Sequence, residues 1–163
     1  MKYVSTNELR NFSFHDGRIE SICFRDERMI WKVCAINATK ENTQNDFEKD
    51  MCIAAADMIF EDANIDSVVF NAYKVYDSAG NLLKESKART VTEEEYSEIQ
   101  QKSTGNYWCI LSAIEPTQNT VNFEIDSIAG SYNITISYSK IVIKWDEFDG
   151  EAWYEDEKWK RRE

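Results

Sequence analysis

The chain has 163 residues, 42% apolar and 13% aromatic, and its 30 acids against 19 bases leave a net charge of −11. This size and apolar content suit a single domain over 1–163 with its own core, and they exclude a disordered chain. The acid excess argues against nucleic-acid or anionic-membrane binding through a basic face, and no apolar run approaches the roughly 20 residues of a membrane-spanning helix.

Residues 1–17 form a lead-in in which Phe12 and Phe14 alternate around Ser13, closed by the turn signal Asp16-Gly17. Residues 19–24 and 29–36 then read as strands joined by a charged hairpin tip, Arg25-Asp26-Glu27-Arg28. The second strand is apolar on one face through Met29, Trp31, Val33 and Ala35, and nearly so on the other through Ile30, Cys34 and Ile36. Such a strand belongs inside a two-layer structure. Residues 39–46 are polar and read as a loop. Over 47–59, the spacing of Phe47, Met51, Ala54, Ala55, Met58 and Ile59 favours an amphipathic helix. Residues 51–53 and 58–60 also resemble short buried strands.

Residues 68–76 are β-branched and aromatic and read as one strand. A turn follows at 77–81, and Leu82-Leu83-Lys84 restarts a partner strand. Thr92 caps a helix, with Glu95 as its capping-box partner and Glu93-Glu94-Glu95 at the positive end of the helix dipole. Tyr96 and Ile99 are its apolar contacts, and Gly105 ends it. Residues 107–114 form a strand apolar on both faces, stopped by Pro116. Three alternating runs follow: Val121, Phe123, Ile125; then Tyr132, Ile134, Ile136, Tyr138; then Ile141, Ile143, Trp145. They read as an antiparallel meander with one wet face. The expected fold is mainly β, an antiparallel sandwich or a curved sheet or barrel, with one or two short helices; α+β is the alternative.

The tail, 146–163, changes character. Seven of the twelve residues from 146 to 157 are acidic, whereas 158–162 hold four bases. The pairs Asp156–Lys160 and Glu157–Arg161 have the i, i+4 order that supports a short docking helix, with Trp153, Tyr154 and Trp159 as its docking residues.

Few residues offer chemistry. The four cysteines, Cys23, Cys34, Cys52 and Cys109, contain no C-x-x-C pair, and there is one histidine, so no structural zinc site is expected. They read as free thiols. With no apolar signal core at the N-terminus, they point to the cytoplasm. No phosphate loop, dinucleotide fingerprint or nucleophile elbow occurs, and no cofactor or metal is expected. The Trp145–Gly150 stretch fails as a calcium loop at its first ligand. His15-Asp16 could move a proton, but neighbours in a strand point to opposite faces.

The segment Phe12-Ser13-Phe14-His15-Asp16-Gly17-Arg18-Ile19 resembles the opening F-x-F-H-D-x-x-I of a group of small uncharacterised bacterial proteins. Some of these resemble immunity proteins of contact-dependent or polymorphic toxin systems. The resemblance implies strands rather than helix over 51–60 and a cytoplasmic binding protein. It assigns no catalytic role to His15 or Asp16. The leading expectation is a non-enzymatic protein that captures a basic protein partner on an acidic, aromatic-bearing surface, with His15, Asp16, Trp153, Tyr154 and Trp159 as candidate contacts. The alternatives are a small-molecule barrel lined by Trp31, Trp108, Tyr132 and Tyr138, and a hydrolase using His15.

Overall fold

A computed structural model describes residues 1–156. In chain order the strands are β1 (Tyr3–Thr6), β2 (Phe12–Ser13), β3 (Gly17–Arg25), β4 (Arg28–Ala38), β5 (Met51–Glu61), β6 (Asn64–Phe70), β7 (Tyr73–Tyr76), β8 (Leu82–Ser86) and β9 (Arg89–Thr90). Helix α1 (Glu93–Ser103) precedes β10 (Trp108–Thr117), β11 (Thr120–Ser127), β12 (Gly130–Ser137), β13 (Lys140–Trp145) and β14 (Phe148–Glu151). Single 3-10 turns occupy Leu9–Asn11 and Trp153–Glu155. With 58% strand and 11% helix, the fold is mainly β and not α+β.

Twelve strands make one antiparallel sheet in the order β1-β13-β5-β4-β3-β10-β11-β12-β6-β9, with β14 on β5 and β2 on β4. The sheet curves strongly but does not close into a barrel. Its two halves face each other: the Phe123 ring on β11 lies 4.9 Å from Trp31 on β4 and 6.4 Å from Phe60 on β5. Between them sits a core of fully buried side chains including Trp31, Trp108, Trp145, Tyr132, Phe60 and Phe123. Burying each such side chain stabilises the fold by about 1.5–3 kcal/mol before entropy is counted. The β3–β4 tip forms where expected, with Asp26 and Glu27 both at positive φ, the geometry of a two-residue hairpin turn.

Residues 51–61 are a strand, not the helix their spacing favours. Met51 and Ile53 face the core, Ala54 and Ala55 are both exposed, and Ala56, Met58 and Phe60 face the core again. Two alternating runs out of phase by one residue imitate helical spacing. The same switch occurs opposite, where Ala35 of β4 takes φ +57. Pairing with β4 on one edge and β13 on the other holds β5 extended.

Three further expectations change. The last three runs are not a meander, because β12 pairs with β11 and β6 while β13 pairs with β5 and β1. The short link at Tyr138 and Ser139 crosses between layers, held by Tyr138 N–H to Asn119 O and Ser139 N–H to Glu61 O. Strand β10 runs through Pro116, which sits in a register shift where no ladder bond needs its missing N–H. The run 68–76 breaks at Asn71, whose N–H bonds Ser131 O and whose side chain accepts from Asn133; beyond it β7 and β8 form a separate ribbon.

Helix α1 starts as expected. Thr92 Oγ1 accepts from Glu95 N–H, and the Glu95 carboxylate accepts from Thr92 N–H, which with Arg89 holds that carboxyl below its usual pKa. Gly105, at φ +75, follows the helix end. Its inner face carries Tyr96, whose buried hydroxyl is approached by Gln100 and Tyr132 without reaching hydrogen-bond geometry. Burial pushes Tyr96 up to about 12. Its folded pKa exceeds the unfolded value, so this stability is fully present below pH 10 and is lost as pH rises towards about 12. The expected loss is about 3 kcal/mol. Urea midpoints near neutrality and at about pH 11.5 should show Tyr96→Phe resisting alkali better than the parent, with near-parental stability at neutral pH.

Candidate functional site

The two chain ends meet on the outer face of the sheet. His15 and Asp16 stand in the turn between β2 and β3, where Gly17 N–H bonds Phe14 O and Asp16 takes φ +66. In this turn, unlike in a strand, the neighbours do meet: His15 Nε2 lies 3.6 Å from Asp16 Oδ2, and Nδ1 lies 3.2 Å from Leu111 O. Both side chains are exposed, at 60% and 62%. The Trp153 ring lies 6.5 Å from the imidazole and is itself 48% exposed. Tyr107, also exposed, has its hydroxyl against the Cys109 thiol and the Asp126 carboxylate; desolvation and then these two groups raise its pKa. Asp16 in turn acts on Cys109, whose thiol is raised first by burial. His15, Asp16, Trp153, Tyr107 and Asp126 therefore line one aromatic surface, where the carboxylates of Asp16 and Asp126 stand with the Arg18 guanidinium around Cys109.

The turn is built tightly. A Cβ on Gly17 would lie 2.9 Å from Ile36 Cγ2 and 3.0 Å from Phe14 O, a backbone atom. Gly17→Ala is expected to cost about 1–3 kcal/mol, measured by urea unfolding, because the clash must move the turn or β4.

The tail reaches this surface without a helix over the described residues. Residues 148–151 add to β5 as strand β14, and the segment then makes a single 3-10 turn at Trp153–Glu155. Asp50 fastens it. The Asp50 carboxylate accepts from Tyr154 Oη at 2.7 Å and from Lys40 N–H at 2.9 Å, while Asp50 O accepts from Ala152 N–H at 2.8 Å. Burial, then this hydrogen bond, raises the Tyr154 hydroxyl above its ordinary pKa. Lys49 adds two contacts to the Glu151 carboxylate, at 2.8 and 2.7 Å. Tyr154 is thus a fastening residue beside the exposed Trp153. Trp159 and the pairs Asp156–Lys160 and Glu157–Arg161 involve positions outside the described residues.

Asp50, Tyr107 and Asp126 were not singled out by sequence. The polar stretch 39–46 is a loop, yet Asn42 and Asn45 in it are buried. Asn45 Nδ2 donates to Ala38 O, Thr39 O and Lys49 O, which ties the loop to the end of β4 and to the residues just before β5.

The other candidate chemistry disperses. Trp31, Trp108 and Tyr132 are packed in the core, with Trp108 Nε1 donating to Tyr132 Oη at 2.8 Å. Tyr138 borders a cleft of about 800 Å³, lined with Asn7, Arg10, Glu115 and Asn119. The cysteines are free, with Cys34 and Cys109 buried and Cys23 and Cys52 partly so; burial raises Cys52 and Cys109 and disfavours their thiolates. Among the described residues no His, Cys, Asp and Glu cluster has the geometry to hold a metal ion, and no helix is long and apolar enough to cross a membrane. Comparison with family models, with curated proteins and with solved structures finds no match to this chain.

Proposed function

We propose that this chain is a cytoplasmic, immunity-like binding protein that captures a basic protein partner on the Trp153 surface. The observation that carries the reading is the convergence of His15 and Asp16 from one end of the chain with Trp153 from the other. Tyr107 and Asp126 extend the same patch, and the chain around it has a net charge of −11. Half-exposed aromatic rings supply anchors that bury area at low entropic cost, while carboxylates around them steer a cation-rich partner and speed its association. A hydrolase reading draws less support. Proton-transfer catalysis works best where water is excluded, and His15 and Asp16 are more exposed than not.

The test is affinity capture from the host lysate with the parent chain and with Trp153→Ala as baits, at low and high salt. The bound proteins are identified by mass spectrometry and rebound as purified material. A basic protein held by the parent, released by salt and lost with Trp153→Ala supports the reading. A partner that is acidic, or indifferent to both salt and Trp153, overturns it.

A further inference from the structure

We propose that two copies of this chain associate by each laying its β7–β8 arm into a cleft of the other. The arm leaves the sheet between β6 and β9 and is exposed along nearly its whole length on both faces. Tyr73, Val75, Tyr76, Leu82 and Leu83 are all large and exposed there, Leu83 at 64%. A two-stranded ribbon with no packed face is marginal in water by itself, so its apolar side chains gain most from a second surface.

Charge indicates what that surface is. Residues 71–89 hold four bases and two acids, a net of +2, which leaves the rest of the chain with 15 bases, 28 acids and a net of −13. The arm is thus a basic, apolar element on a strongly acidic molecule, and an acidic body is available in every second copy at equal concentration. Its seat lies at the arm's own root. Between β6 and α1 is a cleft of about 530 Å³ with Phe24, Ile65, Val68 and Val91 as apolar lining and Asp66 and Glu93 as acids. Strand β9 pairs only with Val69 and Phe70, and Val91 N–H bonds Val68 O. Among the described residues, no strand covers the edge of β6 from Asn64 to Ser67 on the cleft side. Such an edge accepts an added strand. Because arm and cleft share one end of the sheet, a two-fold axis satisfies both arms at once and closes the assembly as a dimer.

Sedimentation velocity on the full chain tests this. The expected species has twice the 19.1 kDa mass of the monomer and dissociates as salt rises. Leu83→Ser with Tyr76→Ser in the arm, and separately Glu93→Lys in the cleft, should each weaken association by about tenfold or more. The circular dichroism spectrum should stay parental, because these side chains are exposed, and Tm should fall only by the linkage lost with the dimer and, for Glu93→Lys, by the weakened helix N-terminus. Trp153→Ala should leave the dimer intact, which separates this inference from the partner-binding surface. A monomer at every concentration up to about 100 µM in low salt, growth beyond a dimer, or a dimer indifferent to the arm changes would each overturn the proposal.

Discussion

Trp145→Ala is expected to lower the unfolding free energy by about 3–5 kcal/mol, the range for removing a large aromatic from a packed interior. Trp145 is fully buried and sits where both ends of the chain converge. Its ring stacks on Tyr3 at 5.3 Å, meets Phe12 edge-on at 5.9 Å and meets Phe148 at 5.7 Å. Tyr3 is also its pairing partner in β1, and Phe148 opens β14, so one indole joins the N-terminal strand, the end of β13 and the tail. Aromatic pairs of this kind add about 0.5–1.5 kcal/mol each beyond their buried area. Among the described residues the indole N–H has no hydrogen-bond partner. Trp145→Phe should therefore cost much less than Trp145→Ala, since it removes a buried unpaired donor along with part of the ring. Urea unfolding of the three proteins, with unchanged m-values, is the measurement. A loss below about 1 kcal/mol for the alanine variant would contradict the packing described.

Sequence patterning exposes those parts of this fold whose order is local. The capping box at Thr92 and Glu95, the Asp77–Asn81 turn and the Asp26–Glu27 tip involve residues within a few positions of each other, and all three form. Alternation along β11 and β12 is equally local and equally visible. What escapes is long-range. The phase switch at Ala54–Ala55 makes sense only against Ala35 across the ladder, and read along one strand it imitates a helix. Likewise the pairing of β13 with β5 rather than β12 depends on the sheet folding over itself, with Phe123 meeting Trp31 and Phe60. The surface around Trp153 follows the same rule. His15, Asp16, Trp153 and Tyr154 were visible as residue types able to bind. Asp50, which fastens Tyr154 from 104 positions away, carried no signal of its own in a stretch whose spacing favours a helix.

Trp153→Ala is expected to weaken capture of the proposed basic partner by roughly 30- to 1,000-fold, or about 2–4 kcal/mol, while changing stability by less than about 1 kcal/mol. The asymmetry follows from its position. Half of the ring is already in water, so truncation opens no deep cavity, yet the ring is the largest exposed apolar group beside the His15–Asp16 turn. Its backbone is set by the Asp50 clasp, so little ordering entropy remains to oppose docking. Asp16→Lys acts on a different quantity. Reversing a rim charge should slow association and flatten its salt dependence, with a smaller effect on dissociation. Tyr154→Phe tests the clasp: it removes the bond to Asp50 while keeping the ring, and should weaken binding through Trp153 by less than Trp153→Ala does. Association and dissociation rates for the parent and these three variants, measured at two salt concentrations against the captured partner, separate anchor, steering and support. Equal losses in all three variants, confined to the association rate, would mean that charge alone carries the binding and that Trp153 is not its anchor.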